Sequence, residues 1–280
     1  MRKAGILMPI TSLPSPYGIG TMGEAAREFV RFLHKAGQSY WQILPICPTS
    51  YGDSPYQSFS SYAGNPYMID LDELSEAGLL EKDEYKNIDW GSNPEKADYG
   101  LLYNRRFGVL RKAAKTAEEK YQTELTEFRK ENHKWLSDYA LFMAIKDEQN
   151  GVSWLEWPES LRKRDNKALA VEREKLKDEI KFWECVQFLF FTQWKKLKAY
   201  ANENGIKIIG DIPIYVSSDS ADVWANPEQF QLDDNLMPIS VAGCPPDGFS
   251  ADGQLWGNPL FNWKVMKEQD YNWWVDRIAY

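Results

Sequence analysis

Apolar residues recur along this chain in two rhythms, and the switch between them divides it. Ala4 to Ile10 is a short apolar run bounded by proline and serine, the pattern of a buried parallel strand. Met22, Ala25, Ala26, Phe29, Val30 and Leu33 then keep the i, i+3, i+4 spacing of a one-faced helix. Thr21 and Glu24 predict a capping box at its start, and Gly37 its end. Tyr40 to Ile46, YWQILPI, reads as a second strand stopped by Pro45 and Pro48. A β-α-β opening of this kind predicts a parallel sheet with a right-handed crossover, either doubly wound or closed into a barrel.

Residues 70–180 break that rhythm and read mainly as helices, with apolar faces marked by Leu125, Phe128, Leu136, Tyr139 and Met143. Residues 161–179 are so densely charged that they are expected to be solvated, and the whole stretch reads as an inserted helical subdomain. The β-α rhythm resumes with a helix from about Ile180 to Glu203. Its stripe of Ile180, Trp183, Gln187, Phe190, Phe191, Trp194 and Leu197 is core packing, and Asn204-Gly205 closes it. A third strand, Ile206 to Ile212, delivers Asp211 to a polar loop.

Two stretches, 49–67 and 240–263, carry neither period and are dense in glycine, proline, serine and aspartate. They are expected to be long loops at the end of the sheet where parallel α/β folds hold their ligands. A last amphipathic segment begins near Asp270 and contains Trp273, Trp274, Arg277 and Ile278.

Composition narrows the partner. The net charge of -8 comes without a basic stripe, which leaves nucleic-acid binding no electrostatic footprint. No window is apolar for the length a membrane span requires, and Pro9 and Pro14 interrupt the N-terminal apolar run that would otherwise suggest a secretory signal. Cys47, Cys185 and Cys244 are odd in number and far apart, so a reducing cytoplasm is expected. Of Trp 12, Tyr 15 and Phe 13, most are expected in a large core and in helix packing, while a minority in loops suits an amphipathic ligand.

The candidate chemistry gathers on the loop after the second strand, on Asp211 and on residues 247–258. Carboxylates, hydroxyls, amides and aromatic faces together match a sugar, whose hydroxyls each require a partner once they leave water. Retaining glycosyl transfer further requires two carboxyl groups about 5 to 5.5 Å apart. Asp211 is a candidate for one of these or for a sugar contact. Asp219 and Asp222, in SSDSADVW, read instead as helix caps. His34 and His133 lie too far apart for a metal pair, and Asp233, Asp234 and Asp252 lack calcium-loop spacing, so no metal site is assigned.

Four blocks carry a more specific signal: ITSLPSPYGIG (10–20), YGDSPYQSFSSYAGNPYMIDL (51–71), GDIPIYVSSDSADVWANP (210–227) and AGCPPDGFSADGQLWGNPL (242–260). In these the chain resembles the N-terminal part of the 4-α-glucanotransferase, or amylomaltase, family. The resemblance implies a (β/α)8 TIM-type barrel, of which residues 1–280 are an incomplete part with about three strands and the helical insertion at 70–180. It implies transfer of an α-1,4-glucan segment to a glucan or to glucose by a retaining double displacement, without a cofactor. By matching position, Tyr56 resembles a donor-side sugar contact with Ser54 beside it, and Asp211 a carboxylate near the reacting sugar. Asp247 and Trp256 resemble residues of a loop covering the glucan, and Tyr51 an outer aromatic contact. The nucleophile and the acid/base that the resemblance implies are expected beyond Tyr280, so the chain is expected to end in mid-fold and to be inactive alone. A related α-glucan hydrolase and a non-catalytic α-glucan-binding module are the alternatives.

Overall fold

Proline and glycine cut the predicted strands short. In the structure, a computed structural model that describes residues 2–50, 52–93 and 95–279, the strands are β1 (Gly5–Leu7), β2 (Tyr40–Gln42) and β3 (Lys207–Ile209), with α1 (Glu24–Lys35) between the first two. Between β2 and β3 come α2 (Leu71–Glu76), α3 (Tyr99–Lys120), α4 (Gln122–Glu131) and α5 (His133–Glu148). These are followed by α6 (Glu159–Arg162), α7 (Asn166–Lys175) and α8 (Lys177–Glu203). After β3 come α9 (Ala221–Ala225), β4 (Val241–Cys244), β5 (Gln254–Pro259), α10 (Trp263–Glu268) and α11 (Asn272–Ala279). No helix among the described residues is long and apolar enough to cross a membrane.

The chain forms two compact units. The first comprises Met1–Ile46, Gly64–His133 and Lys181–Ile212, and the second Cys47–Ala63, Lys134–Ile180 and Pro213–Tyr280.

In the first unit the strands pair in parallel in the order β1-β2-β3, with Ile6, Trp41 and Ile208 in one register. Because side chains alternate across a sheet, these three share one face, and Trp41 is fully buried there with the Phe29 ring of α1 at 5.1 Å. The alternate positions face away, and Leu7 and Ile209 are exposed. The expectation of strands buried on both faces is therefore not met, because α1 covers only the Trp41 face. The strands are also shorter than predicted. A 3-10 turn at Ile10–Ser12 follows Pro9, and Asp211 lies two residues beyond the end of β3.

The capping box is also absent. Gly23 is the N-cap of α1 and offers no side chain, while the Thr21 hydroxyl donates to Asp70 Oδ2 at 2.6 Å. Asp70 in turn caps α2 by accepting from Glu73 N–H. A side chain at position 23 would meet the Asp70 carboxylate, so glycine is what allows α1 to start there. The predicted helix ends hold: Gly37 and Gly205 both take positive φ, of 68° and 74°.

In the second unit, Phe142 of α5, Trp157 and Trp224 of α9 pack as a mutual cluster with ring centres 5.3 to 5.8 Å apart. Asp219 and Asp222 are not caps. Ser220 caps α9 through Val223 N–H, because its side chain is the one that reaches the free amide. Residues 240–263, expected to be structureless, hold the antiparallel hairpin β4-β5. Its strands are mostly exposed and its register shifts between Val241 and Gly243, so no apolar alternation marks it in the sequence. The last amphipathic segment forms α11, and a further short helix, α10, capped by Asn262, precedes it.

Candidate functional site

Serines shape the loop that carries Tyr56. Ser54 Oγ accepts from Tyr56 N–H at 3.3 Å, Ser58 Oγ donates to Ser60 C=O at 2.7 Å, and Ser60 Oγ accepts from the Tyr62 and Ala63 amides. Such side-chain turns hold a loop without a ladder. One end of it is fixed by Asp222 Oδ2, which accepts from Ser61 N–H at 2.7 Å in a buried setting. Tyr56 itself is exposed.

A depression in this unit is lined by Tyr56, Ser58, Ser61, Tyr215, Ser217 and Arg277 among others. Arg277 enters it from α11, buried between the rings of Trp273 and Trp274, each 5.2 Å away, and donates Nη2–H to Pro213 C=O. Burial lowers the proton affinity of the guanidinium, and Asp222 works against that. The same burial pushes the Asp222 carboxyl up to about 6, opposed by the Ser61 N–H and by Arg277.

The sign of the resulting pH effect is fixed. The folded value lies above the ordinary 3.8, so the folded protein keeps this proton longer than the unfolded chain does. Its contribution to stability is greatest below the ordinary value and falls as pH rises through that window, levelling above about 6. Asp222→Asn, which still offers an oxygen to Ser61 N–H, is expected to flatten that part of the curve. Urea midpoints of both proteins across the window check this, and an unchanged slope in the variant would refute it.

The hairpin presents the other candidate groups. Asp247 Oδ1 accepts from the Phe249 and Ser250 amides at 2.8 Å, shaping its own turn at the exposed tip. Trp256 on β5 is exposed, with Nε1–H donating to Gln254 Oε1 at 3.0 Å and the Tyr215 ring 6.1 Å away. The hairpin and the Tyr56 loop are joined by Gln57 and Asn258, with Gln57 Nε2 donating to Asn258 Oδ1 at 3.1 Å.

Of the residues singled out in the sequence, Ser54, Tyr56, Asp247 and Trp256 thus lie in the second unit, on two connected segments. Asp211 belongs to the first unit, and Tyr51 lies outside the described residues. Gln57 and Asn258 fall within the two loops singled out in the sequence, but their pairing was not legible there, nor was the place of Asp222 and Arg277 on this surface. Polar partners up to about two hundred residues apart in sequence leave no local pattern. Among the described residues no group of three or more His, Cys, Asp and Glu side chains is arranged to hold a metal ion.

The whole is an α/β protein with a surface of hydroxyls, amides and aromatic faces able to match the hydroxyls of a sugar. A family model described as 4-alpha-glucanotransferase matches residues 8–280. The chain belongs to the 4-alpha-glucanotransferase family. It is 52% identical over 272 residues to the 4-alpha-glucanotransferase of Clostridium butyricum, covering 97% of this chain and 56% of that protein. It is 48% identical to that of Streptococcus pneumoniae over 279 residues, covering 99% of this chain and 55% of that one. Among solved structures, amylomaltase from Streptococcus agalactiae in complex with acarbose matches with a TM-score of 0.96 at 50% identity, covering 100% of this chain and 57% of that chain. The chain therefore spans about half the length of the relatives it matches.

Proposed function

We propose that this chain forms part of the glucan cleft of a cytoplasmic 4-alpha-glucanotransferase, which moves a segment of an α-1,4-glucan to an acceptor glucan or to glucose by a retaining double displacement. In this reading residues 1–280 are the N-terminal part of a (β/α)8 barrel, with 70–180 as its helical subdomain. Ser54, Tyr56, Asp247 and Trp256 contact the glucan, as do Asp211 and Tyr51. The nucleophile and the acid/base come from sequence outside these residues, which accords with relatives nearly twice as long.

The observation that carries the reading is the pairing of two exposed aromatic side chains, Tyr56 and Trp256, on segments bonded to each other through Gln57 and Asn258. An aromatic face packs on the apolar C–H surface of a pyranose while the surrounding hydroxyls and amides take its oxygens. Calorimetric titration with maltohexaose, or with acarbose, is expected to show binding that Trp256→Ala and Tyr56→Ala each weaken about tenfold. Unchanged affinity in both variants would overturn the assignment. Incubated with maltotriose, the 280-residue chain by itself is expected to release neither glucose nor longer maltodextrins, and their appearance on a chromatogram would show that it carries its own nucleophile.

A further inference from the structure

The geometry points to Gln57 and Asn258 as positioning residues: their paired amides hold the Tyr56 loop and the Trp256 strand at one fixed spacing, so that both rings engage a single glucan. This rests on the function proposed above. The two residues are 201 positions apart and form a two-way bond, Gln57 Nε2 to Asn258 Oδ1 at 3.1 Å and Asn258 Nδ2 to Gln57 Oε1 at 3.4 Å. Gln57 Nε2 also reaches the backbone carbonyl of Trp256 at 3.4 Å, so the residue next to one ring is bonded directly to the residue bearing the other.

Asn258 does not depend on Gln57 for its own place. It is 3% exposed, and its Nδ2 donates to Val216 C=O at 2.8 Å. Ser218 Oγ adds a bond to Gly257 C=O at 3.2 Å, so residues 256, 257 and 258 are each tied down. The remainder of the hairpin is loosely covered, with Phe249 and Leu255 almost fully exposed. Gly257, at φ 78°, turns the strand between the two functional positions, a conformation that other residues rarely adopt. The hairpin is therefore anchored at one end, and Gln57 couples that anchor to the Tyr56 loop.

A coupling of this kind acts on affinity without touching the ligand. Two segments already held at the bound spacing lose less conformational freedom when the glucan arrives. Without the amide pair each ring keeps its contact, but the freedom of the two segments must be removed at binding.

The test is a double-mutant cycle on maltohexaose affinity, read by calorimetry in the protein. Gln57→Met keeps the length of the side chain and removes its hydrogen bonds, and it is expected to raise Kd about fivefold. In a Trp256→Ala background the same change is expected to add less than about twofold, because only one ring is left to position. A merely local structural role would give the same factor in both backgrounds. Gln57→Glu retains the acceptor for Asn258 Nδ2 and loses the donors, so an intermediate Kd is expected, and it serves in the cycle should the methionine variant fail to fold. An unchanged Kd, or equal factors in the two backgrounds, overturns the coupling and leaves the glucan site standing. No effect of Trp256→Ala and of Tyr56→Ala alike would overturn both.

Discussion

Replacing Gln187 with leucine is expected to destabilise the first unit by about 4 kcal/mol, although the sequence pattern alone argues for a gain. Position 187 lies on the apolar stripe of α8, among Trp183, Phe190 and Leu197, and leucine is both apolar and a strong helix former. Gln187 is fully buried, however, and serves the loop beside it. Its Oε1 accepts from Gly64 N–H at 2.7 Å, and its Nε2 donates to Gly64 C=O at 3.0 Å. Leucine would leave both backbone groups unpaired, at roughly 1 to 3 kcal/mol each. The loop is closely packed here, since a Cβ at position 64 would lie 2.0 Å from the Phe190 ring. Denaturant midpoints at constant slope measure the loss. A leucine variant as stable as the parent would mean that the loop relaxes to satisfy itself.

Lys146→Met is expected to remove about 3 kcal/mol from the second unit. The Lys146 side chain is 6% exposed. Its Nζ donates to Asp219 Oδ2 at 2.7 Å and to Val152 C=O at 3.1 Å, with the Phe59 ring 5.0 Å and the Phe142 ring 5.8 Å away. Each face of this buried charge thus meets a carboxylate, a carbonyl or a π cloud. Removing it strands Asp219 on the amide of Trp154 at 3.3 Å. Breaking one side of a buried pair costs about 3 to 5 kcal/mol, and the low end applies because the Asp219 side chain is 30% exposed and water shares its charge. Lys146→Met combined with Asp219→Asn should recover part of the loss in the same denaturation experiment. A double variant less stable than the single one would show that the charge of Asp219 has another partner.

Periodicity located what depends on neighbours in sequence. The face of α1, the span of α8 and the glycine ends at Gly37 and Gly205 follow from local spacing, and the structure keeps them. Extent and burial of the strands did not follow, since they depend on what covers the sheet, and the apolar run around Leu7 gives no sign that one face is open. The hairpin β4-β5 was illegible for a related reason: its strands gain little from burial, so nothing selects alternation. At the candidate site, the resemblance singled out Tyr56 and Trp256 as candidates. Their connection runs through the amides of Gln57 and Asn258, residues whose chemistry is commonplace until the fold brings them together.

Gln187 is one of a pair. Six residues further along α8, Gln193 makes the same two bonds to Asp70, accepting from its N–H at 2.7 Å and donating to its carbonyl at 3.0 Å. The helix therefore acts as a ruler, with two marks about 9 Å apart that set the length of the loop segment between Gly64 and Asp70. One residue inserted between the marks would swing the second through about 100° and release Asp70, and with it the cap of α2 and the anchor of Thr21. Substitutions on the outer side of the same turns leave the gauge intact. Over this stretch the chain has freedom in composition and almost none in length.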